Sequence, residues 1–154
     1  MREILFRAKR LDNGEWVEGN LVFSLDADEE WKTIIIPIRN SYMFSSGNED
    51  EDLGFENWHR VDLKTVGQYT GLTDKNGQKI WENDIIDAKD SWWNAYGPAG
   101  HSSPIILVEW SDYFCGYEPF ANYDCDCGVY ICPDEVKVIG NIFDNPELLK
   151  GGAE

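Results

Sequence analysis

The feature that most narrows what this chain can fold into is Asn76-Gly77, a dipeptide set between two short runs of aromatic and β-branched residues. Asn-Gly is favoured where two successive turn residues must both take positive φ, the type I′ geometry whose twist matches that of the strands it joins. Tyr69, Thr70 and Leu72 stand before it, and Ile80, Trp81, Ile85 and Ile86 after it. The block therefore predicts an antiparallel hairpin. Glu82-Asn83, just ahead of Asp84, predicts a second tight turn that delivers Ile85-Ile86 into a new strand. A hairpin of this kind sets architecture and carries no site of its own.

The rest of the chain reads the same way. Glu3 to Lys9 alternates apolar and polar residues, as a half-buried strand does. Asp12-Asn13-Gly14 signals a turn, and Trp16 to Phe23 a returning strand with a bulge at Gly19. Ile34-Ile35-Ile36 marks a buried strand that Pro37 ends or places at an edge. Residues 40–58, with Ser45-Ser46-Gly47 and the run Glu49-Asp50-Glu51-Asp52, read as the mobile loop of the molecule. Asp62 to Thr65 suits a single helical turn. Ile105 to Trp110 reads as one strong strand, 111–133 as an aromatic and Cys-rich excursion, and Val136 to Phe143 as the last strand. Asn145 with Pro146 and Glu147 suits the start of a short helix. Strands with hairpin signals and few short helices predict a mainly β protein.

Three ordered patches resemble the YopX-like family, small proteins encoded by phages and prophages. The opening Met1-Arg2-Glu3-Ile4-Leu5-Phe6-Arg7-Ala8 is the first. The second is Gly67-Gln68-Tyr69-Thr70-Gly71-Leu72 with Asp74-Lys75-Asn76-Gly77, Lys79-Ile80, Glu82 and Asp84-Ile85. The third is Val138-Ile139-Gly140-Asn141-Ile142 with Asn145-Pro146-Glu147-Leu148-Leu149. The family usually has Gly where Asn83 stands, a replacement Asn can make because it tolerates left-handed backbone. The resemblance implies a mainly β fold with an SH3-like small barrel in the C-terminal part, and it implies no activity. The division that follows is an N-terminal β-hairpin/sheet subdomain over 1–66, the barrel over 67–149 and a frayed tail over 150–154. The acidic and Cys-rich insertions fall outside the family pattern.

Composition bounds function. A chain of 154 residues with 42% hydrophobic and 14% aromatic content can bury a core as one domain or two small subdomains. No apolar run approaches the ~18 residues of a membrane span, and residues 1–15 do not resemble a signal peptide, so a cytoplasmic location is expected. Net charge is −16, from 29 acids and 13 bases. Residues 1–79 hold 15 acids and 10 bases; residues 80–154 hold 14 acids and 3 bases. Such a surface repels phosphate backbones, which argues against direct nucleic-acid binding. Solubility explains the charge; an acidic face offered to a basic partner is the sharper reading.

Chemistry is sparsely signalled. Cys115, Cys125, Cys127 and Cys132 are separated by nine, one and four residues, a framework unlike the paired C-x-x-C of small zinc domains. Cys125 and Cys127 on a strand would share a face, so a metal is geometrically allowed, against the plainer reading of free thiols. His59 and His101 read as exposed loop histidines with no sequence link to a thiol. Asp124 to Gly128 lacks the ligand frame of a calcium loop. No phosphate-cradling or hydrolase motif occurs, so neither catalysis nor a cofactor is expected.

The aromatics carry more. Trp92, Trp93 and Tyr96 lie in one loop and Tyr113, Phe114 and Tyr117 in the next, where they serve either loop packing or a partner surface. The function this supports is a non-catalytic accessory protein that contacts a host or phage protein. Two alternatives stand beside it: an acidic decoy acting on a host nucleic-acid-binding protein, and a small zinc- or thiol-dependent enzyme. Exposed strand edges also allow a homo-oligomer.

Overall fold

A computed structural model describes residues 3–28, 31–45, 53–91, 104–121 and 131–150. The protein is mainly β, built from several antiparallel sheets, with no helix of seven residues or more among the described residues. The chain divides into two compact units, Met1–Gln68 and Tyr69–Glu154.

In the first unit β1 (Phe6–Lys9), β2 (Trp16–Phe23) and β3 (Thr33–Pro37) form a meander, and β6 (His59–Arg60) pairs outside β3. Part of the chain in between also forms strands. Within 40–58, expected as loop, β4 (Met43–Ser45) and β5 (Leu53–Phe55) form a short hairpin arm. After β6, Asp62 caps a 3₁₀ turn at Leu63–Thr65 by accepting from Lys64 N at 3.0 Å. Gly67 and Gln68, the opening residues of β7 (Gly67–Thr73), then return beside β1.

The strand order β6-β3-β2-β1 also closes on itself. Arg10 bridges Val61, Leu11 N donates to Arg60 O at 3.0 Å, and Asp62 N donates to Lys9 O at 2.8 Å. Closure satisfies the backbone groups that an open edge would leave unpaired. Inside the ring lie Ala8, Ile35 and Val61, with Phe6, Val17, Leu21 and Val66 packed against them. Gly19 forms no bulge. It pairs in unbroken register with Phe6 on one side and Pro37 on the other. A Cβ there would overlap the Ile36 carbonyl, so the glycine permits a close backbone approach at a corner of the ring.

The second unit takes up β7 from Tyr69 and pairs it with β8 (Lys79–Trp81). The turn between them is not type I′. Gly77 alone takes positive φ (78°), while Gly77 N donates to Asp74 O at 2.9 Å. This is a type I turn closed by a left-handed glycine, a three-residue loop between Asp74 and Gln78. The Asp74 carboxylate decides it. Its Oδ1 accepts from Asn76 N (2.8 Å) and Gln78 N (2.9 Å), contacts that hold Asn76 in the turn. Before the turn, residues 70–72 face Ile80 alone, a bulge with Gly71 at φ 88°. The Thr70 hydroxyl bridges it, donating to Ile80 O at 2.8 Å and accepting from Leu72 N at 3.2 Å.

Asn83 takes the left-handed conformation (φ 70°) that the sequence comparison required of it. It leads into β9 (Asp84–Asp87), the centre of a sheet ordered β10-β9-β13, with β10 at Ile105–Leu107 and β13 at Lys137–Asn141. The expected strand 105–110 breaks at Val108. Its N–H donates to Asp84 O and its carbonyl accepts from Asn83 N, both at 2.8 Å, so the turn at Asn83 claims it. Beyond the break, β11 (Glu109–Ser111) pairs with β12 (Gly116–Glu118), which puts a hairpin at the start of the expected Cys-rich excursion. Ile80, Ile86, Ala88, Ile106, Val108, Ile131, Val136 and Val138 form the core, together with Tyr117. A 3₁₀ turn at Pro146–Lys150 follows β13.

Candidate functional site

Of the side chains singled out in the sequence, Trp92, Trp93, Tyr96, His101, Cys125 and Cys127 lie outside the described residues. Tyr113 is 88% exposed and meets the half-buried Phe114 edge-on, with ring centroids 4.8 Å apart. Tyr117 does not belong to a partner surface. It is buried in the core, edge-on to Trp110 at 5.2 Å, because its strand turns that residue inward. Cys115 is exposed on left-handed backbone (φ 50°), and its Sγ donates to Asp112 O at 3.5 Å. Cys132 is half-buried ahead of a 3₁₀ turn, its N–H donating to Ser91 Oγ at 3.3 Å. Among the described residues no three His, Cys, Asp or Glu side chains are placed to share a metal ion.

The first unit holds what the sequence reading missed. Of the sixteen large apolar side chains exposed among the described residues, thirteen lie in it, including Phe23, Leu25, Trp31, Tyr42, Met43, Phe44, Phe55 and Trp58. Exposed apolar side chains are ordinary when scattered, so their concentration is the informative fact. The hairpin arm concentrates them most. Met43 pairs with Phe55 and Phe44 with Gly54, where the Phe44 ring occupies the space a Cβ would take. Tyr42 and Met43 are 64% and 67% exposed. The base of the arm is pinned by Asn40 and Asn57, both left-handed (φ 58° and 60°), with Asn57 Nδ2 donating to Asn40 O. Glu56 N donates to Tyr42 O at 2.9 Å just above. The signal was present in the sequence as apolar Tyr42-Met43-Phe44 and Leu53-Gly54-Phe55 between two Asn residues.

Elsewhere in the same unit, Arg60 stacks on Trp31 (4.9 Å to the ring centroid), and Trp31 meets Trp58 at 5.6 Å. Asp12, Trp58, His59 and Arg60 line a small cavity of about 140 Å³. His59 is not a loop residue. It sits half-buried on β6 opposite Ile35. Burial, and then the charge of Arg10, hold its pKa below the ordinary 6.5 against an opposing pull from Asp12. The Arg10 hydrogen bond holds Asp12 low in turn, with Arg10 Nε 2.9 Å from Asp12 Oδ1. The cavity thus offers a guanidinium, a carboxylate, a neutral imidazole at pH 7 and an indole wall. That set can hydrogen-bond and stack.

The lowered pKa gives a test. A histidine that resists protonation in the folded state costs stability as pH falls below 6.5. Its proton NMR titration should centre below 6.5, and Arg10→Ala should move the midpoint up by removing one charge and baring Asp12. A midpoint at or above 6.5 would contradict the burial of the ring.

No helix among the described residues is long and apolar enough to cross a membrane. A search of curated proteins finds no match. Among solved structures, the chain is similar to protein EF1440 from Enterococcus faecalis, at 26% identity with a TM-score of 0.56. The match covers 97% of this chain and 99% of that one, so the likeness spans both units. The family model described as "YopX protein" matches residues 5–150. With nearly the whole chain covered in one match, this protein belongs to the YopX family.

Proposed function

We propose that this protein is a non-catalytic accessory module of phage or prophage origin that works in the cytoplasm by docking another protein. The observation that carries the reading is the arm of the first unit, a formed hairpin that keeps Tyr42 and Met43 about two-thirds exposed. An isolated two-stranded hairpin is marginal in water, and large apolar side chains held outward on one gain from being covered. The SH3-like barrel implied for 67–149 belongs to the same proposal, supported by the short strands around Ile86 and Val108.

Affinity capture from bacterial lysate tests the reading, with wild type beside Tyr42→Ser/Met43→Ser and Trp92→Ala/Trp93→Ala. The serines sit at exposed positions, so circular dichroism should be unchanged. A captured protein lost with the arm variant and kept with the tryptophan variant is the expected result. Capture that ignores the arm and depends on Trp92 and Trp93 would move the surface to the second unit. A protein that turns over substrate without any partner would end the proposal.

A further inference from the structure

The seam that closes the first unit also builds a cavity. Arg10 bridges Val61 and Leu11 N donates to Arg60 O, so the turn after β1 lies against β6. That brings Asp12 to His59 and Arg60, with Trp58 just ahead of the strand, around about 140 Å³ of space. The walls are held before any ligand arrives, which lowers the cost of binding. Arg10 fixes the Asp12 carboxylate, its Nε donating to Oδ1 at 2.9 Å. The Arg60 guanidinium lies 4.9 Å from the Trp31 ring centroid, and Trp31 meets Trp58 in turn. Trp58 still keeps 39% of its surface exposed.

Size, charge and donor chemistry each narrow the ligand. Sites for drug-sized molecules hold ~300–1,000 Å³, so this one takes a single ring system. Around it Arg10 and Arg60 balance Asp12 and Glu15, the last 4.0 Å from Arg10 Nη1, which gives a charged group no net pull. Arg60 already occupies the cation position on Trp31. A neutral flat ring therefore fits best. A carboxylate can accept from two adjacent N–H groups, and a guanidinium donates within its plane. Guanine has both counterparts: N1–H and N2–H side by side, with O6 and N7 as acceptors.

We propose that this cavity binds a guanine base, presented as a free nucleoside. The ring stacks on Trp58, N1–H and N2–H donate to Asp12, and O6 accepts from Arg60. This goes beyond the docking reading and does not depend on it. A nucleic-acid strand is the poorer source of the base, because its phosphates would approach a chain of net charge −16.

The test titrates the isotope-labelled full chain with guanosine, adenosine, cytidine and xanthosine by two-dimensional NMR. Guanosine should shift the Trp58 indole N–H signal and bind about tenfold or more tightly than adenosine or cytidine. Xanthine carries a carbonyl where guanine carries its amine, so Asp12→Asn should turn the preference toward xanthosine. Unfolding cannot produce that gain. Trp58→Ala should weaken guanosine about tenfold through the lost stack, and Tyr113→Ser should change nothing. A short single strand with one guanine should bind no better than guanosine. Tighter binding of the strand would overturn the free-nucleoside assignment. Equal binding of all four nucleosides would leave only stacking and overturn the choice of guanine. Loss of guanosine in Asp12→Asn without a gain for xanthosine would overturn the pairing with Asp12. The site itself fails if no nucleoside binds, or if guanosine binding survives both Trp58→Ala and Asp12→Asn.

Discussion

Asp74→Ala should destabilise the second unit by at least ~3 kcal/mol in urea unfolding at pH 7, followed through tryptophan fluorescence. Asp74 is 3% exposed, and its carboxylate accepts three backbone N–H groups. Two lie within its own turn, at Asn76 and Gln78. The third is Val138 N on β13, 3.1 Å from Oδ2 and 64 residues away in sequence. One side chain thus closes the hairpin and ties it to the last strand. A hydrogen bond to a charged group is worth ~1.5–3 kcal/mol, and each buried donor left without a partner costs ~1–3 kcal/mol. Several such losses together exceed the cost of an average substitution. Asp74→Asn keeps one acceptor oxygen and should lose less.

The pH dependence follows with a definite sign. Burial alone would raise the Asp74 pKa. The N–H groups of Val138, Gln78 and Asn76 outweigh it and hold the pKa below the ordinary 3.8. A depressed carboxylate stabilises the fold above the unfolded value and loses that contribution as pH falls through the folded one. The gap in stability between wild type and Asp74→Ala should therefore be full at pH 7 and shrink below about pH 4. A gap that stays constant down to pH 3 would show that the carboxylate charge is not what those amides hold.

Gly19→Ala should cost the first unit ~3 kcal/mol or more, against ~1 kcal/mol for Gly14→Ala. Gly14 takes φ 73° with open space around it, so a methyl there meets only the backbone preference. Gly19 has no such conformational demand, but a Cβ would stand 2.7 Å from Ile36 C and 2.8 Å from Pro37 Cα, in addition to overlapping the Ile36 oxygen. These are backbone atoms and cannot swing aside. The strand would have to move, taking with it Ile35, which is fully buried and held between Leu21 and His59. Overpacking of this kind costs ~1–3 kcal/mol in ordinary cores and more where backbone must shift. Equal tolerance of the two alanines would show that β2 and β3 can separate freely, contrary to the closed ring.

Much of the chain was legible one segment at a time. β2 runs from Trp16 to Phe23 as its composition implied, Pro37 ends β3, and Asn83 carries the left-handed turn. These follow from the preferences of single residues. The errors arose where a distant group overrode a local preference. Asn76 was assigned positive φ from its own chemistry, and the Asp74 carboxylate holds it otherwise. Ile105 to Trp110 looked continuous, until the turn at Asn83 took the backbone of Val108. Tyr117 looked like a surface aromatic in a loop, and pairing with β11 turned it into the core. The arm was missed because its two strands are only three residues each, and the acidic run between them outweighed their apolar pattern.

Local chemistry by itself determined a β-rich protein, the positions of most strands and turns, and membership in the YopX family, because each rests on neighbouring residues or on an ordered pattern of them. Only the tertiary structure decided that the first sheet closes through Arg10 and Val61, that Asp74 reaches β13, and that exposed apolar side chains gather in the first unit. Those outcomes depend on residues some 50 or more positions apart meeting in space, and no local propensity encodes which distant backbone group a side chain will find.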